Sequence, residues 1–395
     1  MRWSWFTDHF FNKRIKERKE RERAFYENGS LLLEKLIVCC NAKPIPIRTF
    51  SPQQLLLATN NFSSEQLVIG FSIWFNGSLE GRIVLIKLLY GWADFAINDL
   101  VISAQMSGHS NVLKPIGCCL HTPTPILVFE FAANGVLADR IYVSRVTERQ
   151  HQPMVWERRL KIARQIAHSL SYLHTAFPRP VIHMNIRMRS ILLDEHDVPK
   201  LSDFYFSVSI PEGEADVKGF DGARYFDFCA PEFKATGKVT EKADVYDFGR
   251  FLLELLTGDD SHKISRFLID KDTTLEAYIH NRAQGSCINE IVDPAILAED
   301  GEGGASLQHQ LQAVVDLALT CREEDPQRRP TMVDVTKQLR WIERFTQTGE
   351  ELGGNLQNLK LLESVEEHAS ASLKRNASSD EIQAVNEASE RPLEV

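Results

Sequence analysis

The stretch HMNIRMRSILLD, residues 183–194, decides the fold, because four other short motifs stand in a fixed order around it. VLIK lies upstream at residues 84–87, and DFY at 203–205, APE at 230–232 and DVYDFG at 244–249 follow downstream. Any one of these short matches carries little information when it is taken alone. Together they form an ordered series along one chain, and such a series is specific to one fold family.

The series resembles the signature of eukaryotic protein kinases. VLIK resembles the strand whose lysine, here Lys87, grips the nucleotide phosphates, and residues 183–194 resemble the catalytic loop. The resemblance implies an α+β, bilobal protein-kinase fold with a β-rich small lobe and a helical large lobe. Periodicity agrees with it, because the strand-like runs RIVLIKLLY and PILVFEF precede the helical patterns WERRLKIARQIAHSLSYLH and KADVYDFGRFLLELLTG.

Composition divides the chain into three regions. Residues 1–49 are a helical extension, in which the mixed-charge run KRIKERKERER and the apolar run GSLLLEKLIVCC predict two helices. Residues 50–345 are the kinase-like domain, with the small lobe at about 50–132 and the large lobe at about 133–345. Residues 346–395 contain no aromatic residue and are predicted to be disordered, since so polar a segment cannot bury enough apolar surface to fold.

Positions that the fold needs are retained. By the kinase resemblance, His183 packs beneath the catalytic loop. Glu232 of APE corresponds to the partner of a buried arginine, for which Arg329 in PQRRPTM is the candidate. These residues predict that the kinase architecture is intact.

Positions that carry phosphoryl transfer in the family hold other residues here. Asn185 stands where an aspartate accepts the proton of the substrate hydroxyl, and an amide has no useful basicity. Met184 replaces the preceding arginine, Ser190 replaces the asparagine that holds the second magnesium, and Tyr205 replaces the glycine of D-F-G. We therefore predict that the chain has no working catalytic residue.

Three residues resemble remnants of the nucleotide site. Lys87 and Asp203 stand at the positions of the phosphate-gripping lysine and of the D-F-G aspartate. Asp99 is the candidate for the helix glutamate that pairs with the lysine, although it is one methylene shorter. Asp203 is also the single candidate for a metal ligand, and no metal site is predicted with it.

The loop that should cradle the nucleotide is altered. A glycine-rich loop needs glycines so that its backbone can approach the phosphates, yet GFSIWFNG, from Gly70, has Ser72 and Phe75 at two of those positions. Leu85 replaces the alanine that packs on adenine. These three residues predict an obstructed site, whereas Lys87 would favour nucleotide. No cofactor is required, and binding of ATP with magnesium stays open.

Composition limits the partners and the location. The net charge of −9 over 395 residues gives no basic face for nucleic acid. No run of 18 apolar residues exists, so no transmembrane span is predicted, and the N-terminus lacks the apolar core of a secretory signal. These features predict a cytoplasmic protein. The aromatic and basic N-terminus, together with Cys39 and Cys40, leaves open peripheral attachment at the inner face of the plasma membrane.

A closer resemblance comes from FSPQQLLLATNNFS, NVLKPIGCCL, ILVFEFAANGVLADRI and DVYDFGRFLLELLTG, which are similar to plant receptor-like cytoplasmic kinases close to the wall-associated kinases. The segment LLLEKLIVCCNAKPIPIRTFS and the degraded catalytic loop resemble the ZED-related kinase (ZRK) family. The resemblance covers about residues 25–345. It implies a plant immune pseudokinase, an adaptor or decoy that binds a nucleotide-binding leucine-rich-repeat (NLR) receptor, active receptor-like cytoplasmic kinases and pathogen effectors.

Three functional hypotheses follow. The leading one is a non-catalytic adaptor in plant innate immunity. A weakly active serine/threonine kinase is the first alternative, because positioning and metal electrostatics supply most of the rate of phosphoryl transfer. The second alternative is an ATP-sensing switch, in which nucleotide binding without transfer controls the affinity for a partner.

Overall fold

We describe the fold from a computed structural model of the chain. The described residues are 2–40, 47–63, 66–69, 71–91, 93–142, 154–220, 229–260, 288–297 and 304–344, with side chains described in the first helix for residues 16–39. Gly70 and the predicted tail at 346–395 lie outside the described residues.

Six strands form the sheet of the small lobe. They are β1 (Arg48–Thr49), β2 (Gln66–Ile69), β3 (Ser72–Leu79), β4 (Arg82–Leu89), β5 (Pro115–Cys119) and β6 (Ile126–Glu130). Their order in the sheet is β1-β5-β6-β4-β3-β2, and every neighbouring pair except β1 and β5 is antiparallel. The strand that carries Lys87 therefore lies inside the sheet, between β3 and β6.

The helices are distributed over both lobes. The first three are α1 (Arg2–Cys40), α2 (Pro52–Ala58) and α3 (Ala93–Gln105). The large lobe contains α4 (Leu137–Ile141), α5 (Trp156–Thr175), α6 (Pro231–Thr236), α7 (Glu241–Thr257), α8 (Pro294–Leu297), α9 (Gly304–Cys321) and α10 (Met332–Arg344). It also contains the short strands β7 (Val181–Ile182), β8 (Ile191–Leu193), β9 (Pro199–Leu201) and β10 (Val208–Ser209), paired β7 with β10 and β8 with β9. The predicted α+β, bilobal fold is confirmed.

The two faces of the small-lobe sheet pack against different partners. Successive side chains of a strand point to opposite faces. Trp74 and Leu85 therefore share one face, which packs with α3 and the large lobe, and Phe75 and Ile86 share the other, which packs with α2. This division decides which side chains of the nucleotide-binding loop can reach the cleft.

The start of α2 is encoded locally. Ser51 is its N-cap, and Gln54 completes a reciprocal capping box. The backbone N–H of Gln54 donates to the Ser51 hydroxyl, and the side-chain oxygen of Gln54 accepts from the Ser51 backbone N–H. Pro52 occupies the first helical position, where its missing N–H costs nothing. The start of α2 is therefore specified by its own local sequence.

The N-terminal extension is a single helix of 39 residues, where composition predicts two. Gly29 lies at the predicted junction, and a glycine inside a helix costs about 1 kcal/mol relative to alanine. The neighbouring Asn28 offsets this cost, because its buried amide donates to the carbonyl oxygens of Leu120 and Thr122, each at 2.9 Å. No helix in the described ranges combines the length and apolar character needed to cross a membrane.

A buried arginine forms an ion pair with the glutamate of the APE motif in the large lobe. The guanidinium of Arg329 donates to both carboxylate oxygens of Glu232, at 2.8 Å each, and Arg329 is only 2% exposed. Its remaining N–H groups donate to the carbonyl oxygens of Glu323, Lys242 and Glu324. The pairing predicted from the kinase resemblance is confirmed.

Replacing Arg329 by methionine should lower the free energy of unfolding by about 3–5 kcal/mol, because the part-buried Glu232 carboxylate and three carbonyl oxygens then lose their donor. Urea denaturation measures this loss. Lys218→Met is the control, since Lys218 pairs with Glu214 at 2.8 Å on the surface, and such a pair contributes about 1 kcal/mol or less. Similar losses in both variants would contradict a structural role for the Arg329 pair.

Candidate functional site

The centre of the cleft is the ammonium group of Lys87. It contacts Oδ2 of Asp99 at 2.6 Å and Oδ1 of Asp203 at 2.5 Å. None of the three side chains is more than 1% exposed. Asp99 comes from α3 and Asp203 from the segment after β9, so the structure brings together all three predicted remnants of the nucleotide site.

The charges in this cluster do not cancel, because two carboxylates face one ammonium. Burial by itself would lower the pKa of Lys87, but the charges of Asp203 and Asp99 outweigh burial and raise it. The pKa of Asp203 is also raised, by burial first and by the nearby Asp99 carboxylate, against the opposing effect of Lys87. Lys87 is therefore firmly charged, while Asp203 holds a proton more readily than an exposed aspartate does.

Three aromatic rings complete the enclosure of the ammonium. Lys87 Nζ lies 4.7 Å from the ring centroid of Trp74, 5.1 Å from that of Tyr205 and 6.0 Å from that of Phe129. A cation at such distances from a ring is attracted by the negative charge of its face. In protein kinases the phosphates of the nucleotide approach this lysine. Here side chains of the same protein surround it.

Tyr205 links this enclosure to the catalytic loop. It lies in a 3-10 turn, Phe204–Phe206, and is 4% exposed. Its hydroxyl oxygen accepts a hydrogen bond from the side-chain amide of Asn185 at 3.0 Å. Burial, followed by the nearby Asp203 carboxylate, raises the pKa of Tyr205 well above its ordinary value, so the phenol stays neutral. Asn185 thus donates a hydrogen bond to a tyrosine, at the position where active protein kinases have a proton-accepting aspartate.

The backbone of the catalytic loop is held by the large lobe. The Asp244 carboxylate accepts from the backbone N–H groups of His183 and Met184, at 2.7 and 2.9 Å. Burial lowers the pKa of His183, so its ring is neutral, with Nε2 donating to the carbonyl oxygen of Ser202 at 3.1 Å. Nδ1 accepts from the backbone N–H of Asn185 at 3.2 Å. The loop keeps its scaffold while it lacks the catalytic base.

Ser190 is engaged within the loop. Its hydroxyl donates to the carbonyl oxygen of Arg187 at 2.8 Å and accepts from the Arg187 N–H at 3.1 Å. Ser190 is 1% exposed. The residue at the second-magnesium position therefore stabilises a turn of its own backbone.

The residues predicted to obstruct the nucleotide site lie in different places. Ser72 is buried, and its hydroxyl accepts from Nε1 of Trp74 at 3.1 Å. Leu85 packs on the cleft face of the sheet. Phe75 does not, because it lies on the opposite face, where its ring contacts Phe62 at 5.0 Å between centroids. The prediction that Phe75 obstructs the nucleotide site is wrong, because alternation along β3 places its side chain on the face away from Lys87.

Trp74 is the site residue that motif alignment misses. It pairs directly with Lys87 across the β3–β4 hairpin, and directly paired residues of antiparallel strands share a face. The signal is present in the sequence, since the parity of the hairpin would have placed Trp74 beside the lysine. Aligning the loop on the glycine motif directs attention to Phe75 instead.

Comparisons with known proteins identify the family. Residues 80–339 match the family described as protein tyrosine and serine/threonine kinase. Serine/threonine-protein kinase ZRK1 of Arabidopsis thaliana is 37% identical over 341 residues, covering 83% of this chain and 94% of ZRK1. Non-functional pseudokinase ZED1 of the same plant is 39% identical over 348 residues, covering 84% of this chain and 99% of ZED1. The chain belongs to the ZED-related kinase family.

The named activities of these ZED-related kinases differ. ZED1 and ZRK2 are named non-functional pseudokinases, and ZRK2 is 38% identical over 344 residues, covering 83% of this chain and 94% of ZRK2. ZRK1 is named a serine/threonine-protein kinase at nearly the same identity. Sequence identity alone therefore does not separate active from inactive members. For this ZED-related kinase, the arrangement of residues around Lys87 is the observation that bears on activity.

Removing the Tyr205 hydroxyl should weaken the fold by a measurable amount. Tyr205→Phe leaves the buried amide of Asn185 without an acceptor, and an unpaired buried polar group costs about 1–3 kcal/mol. Urea denaturation measures the change. Tyr26→Phe is the matched control, because Tyr26 is 74% exposed and surface changes stay within about 0.5 kcal/mol. A Tyr205→Phe variant as stable as the control would show that the Asn185 contact contributes nothing.

Proposed function

We propose that this protein is a catalytically deficient kinase homologue that acts by binding, as an adaptor or decoy in plant innate immunity. The observation that carries the catalytic part is the hydrogen bond from the Asn185 amide to the Tyr205 hydroxyl, at the place where a base should receive the substrate proton. The partners are proposed from family membership: an NLR immune receptor, active receptor-like cytoplasmic kinases and pathogen effectors. Its location is the cytoplasm.

The chemistry supports the catalytic part of the proposal. Phosphoryl transfer needs an oriented acceptor hydroxyl and cations that neutralise the phosphates. Asn185 cannot accept a proton, and Ser190 is turned to its own backbone. Each loss alone would leave residual transfer, but Tyr205 also stands between the catalytic loop and Lys87. Phosphoryl transfer is thus impaired in three ways at once: the catalytic base is missing, a metal ligand is missing, and the Tyr205 side chain occupies space beside Lys87.

The residues present do not fit a magnesium nucleotide, and we propose that none is required. The Lys87–Asp99 pair corresponds to one that active kinases keep, but Lys87 is also paired with Asp203. Both Trp74 and Tyr205 would have to move before a phosphate could contact Lys87. The retention of Lys87 is explained by its ion pairs with Asp99 and Asp203. The ATP-sensing switch is therefore the less favoured function, and the weakly active kinase is disfavoured for the same reason.

Purified protein should show no phosphate transfer to itself or to a peptide with magnesium or manganese ATP. A Lys87→Met variant, whose fold is verified by circular dichroism, should give the same background. Transfer that depends on Lys87 would refute the proposal and identify the weakly active kinase. In the same preparations MgATP should leave the unfolding midpoint unchanged, whereas a ligand at 100 times its Kd would add about 2.7 kcal/mol of stability.

A revertant separates the missing base from the filled cleft. Asn185→Asp combined with Ser190→Asn restores the catalytic-loop residues of active protein kinases. This double variant should stay inactive, because Trp74 and Tyr205 still surround Lys87. Adding Tyr205→Gly tests the filled cleft directly. If the double variant is active, occupation of the cleft is not a barrier, and this part of the proposal fails.

The adaptor role predicts specific binding partners. Affinity purification from plant tissue with the full chain as bait should recover an NLR receptor and a receptor-like cytoplasmic kinase. Arg329→Met, which should lose much of its fold stability, serves as the matched control bait, and both partners should be depleted on it. Recovery of metabolic enzymes alone, or equal recovery on both baits, would count against the adaptor role.

A further inference from the structure

Helix α1 is attached to the small lobe along its middle. Asn28 is 3% exposed and donates to the carbonyl oxygens of Leu120 and Thr122, just after β5. Phe25, one turn earlier, stacks on the ring of His121 with 4.6 Å between centroids. The helix therefore has a fixed register on the small lobe, because the Asn28 amide and the Phe25 ring both contact the connection between β5 and β6.

The C-terminal end of α1 is attached to the large lobe as well. The last carbonyl groups of a helix have no partner within it, and cations are favoured there. Nη2 of Arg179, which precedes β7, donates to the carbonyl oxygen of Val38 at 2.6 Å. The side-chain amide of Gln105, at the end of α3, donates to the carbonyl oxygen of Cys39. One helix end thus binds a large-lobe cation and the end of α3.

Between these two attachments, Lys35 of α1 contacts the residue of α3 that holds the start of the activation segment. Lys35 Nζ donates to Oδ1 of Asn98 at 3.4 Å. The amide of Asn98 in turn donates to the carbonyl oxygens of Phe204, Tyr205 and Ser207, at 3.1, 3.3 and 2.8 Å. One side-chain amide therefore binds three of the four carbonyl oxygens between Phe204 and Ser207.

The neighbouring residue on α3 binds the same turn at a backbone N–H. The Asp99 carboxylate accepts the backbone N–H of Phe204 at 2.9 Å through Oδ1, while Oδ2 binds Lys87. Two consecutive side chains of α3 thus bind one backbone N–H and three carbonyl oxygens of residues 204–207. The position of α3 decides whether this turn keeps its hydrogen bonds.

We propose that α1 is an interlobe brace that fixes α3 and, through Lys35 and Asn98, clamps the first turn of the activation segment. The brace consists of the contacts of Asn28, Lys35 and Val38 on α1 with both lobes. It makes the segment that begins at Asp203 sensitive to the seating of a helix outside the kinase-like domain. This conformational role is independent of phosphoryl transfer and of the proposed partners.

Amide hydrogen exchange on the full chain, followed by mass spectrometry of peptides covering residues 203–209, tests the brace. Lys35→Met and Arg179→Met should each accelerate exchange in these peptides by about tenfold, as the loss of one or two net hydrogen bonds does. Lys16→Met is the control on α1, because Lys16 is 80% exposed and lies 4.0 Å from Glu20. Arg340→Met on the exposed side of α10 is the arginine control.

The brace proposal fails if both test variants exchange residues 203–209 at the rate of their controls. Asn98→Leu provides a second, independent arm, since it removes the clamp directly and should accelerate exchange more than Lys35→Met. In the combined variant Lys35→Met adds nothing to Asn98→Leu if α1 acts through Asn98. Additive effects would show that Lys35 stabilises the segment by another route and would overturn the clamp.

Discussion

The buried charge of Lys87 is the constraint on which the cleft depends. An ammonium group that is buried away from water needs anionic partners, because removing one partner of a buried ion pair destabilises the fold by about 3–5 kcal/mol. Asp99 and Asp203 supply those partners from α3 and from the segment after β9. One side chain on an interior strand thereby holds three elements of both lobes in a single arrangement. Loss of any one of the three would leave an unbalanced buried charge, so each depends on the others whether or not the protein is a catalyst.

Two apparent losses of function are parts of one contact. Asn185 in place of the catalytic aspartate and Tyr205 in place of the D-F-G glycine look independent in the sequence. In the structure the Asn185 amide donates to the Tyr205 hydroxyl, while the Tyr205 ring covers the ammonium of Lys87. The change that removes the base also supplies a hydrogen-bond donor for the group that fills the cleft. The site is therefore organised as a closed, satisfied cluster.

The rest of the fold supports this cluster at two levels. In the large lobe, Asp244 holds the backbone of the catalytic loop, and the pair of Arg329 with Glu232 holds the APE motif. In the small lobe, α3 carries both Asp99 and Asn98, and α1 packs along it. The kinase architecture survives because these contacts stabilise the fold whether or not phosphate is transferred.

Much of the fold and the chemistry of the site could be predicted from the sequence, since motif order and residue type are properties of the chain itself. An amide at position 185 lacks basicity in any fold, and the ordered motifs imply two lobes. The tertiary structure alone decided that Tyr205 fills the cleft and that α1 continues through Gly29. The parity of the β3–β4 hairpin, by contrast, already implies that Trp74 lies beside Lys87 and Phe75 on the other face. The filling of the cleft and the continuation of α1 depend on contacts between segments far apart in sequence, and residue type does not encode those distances.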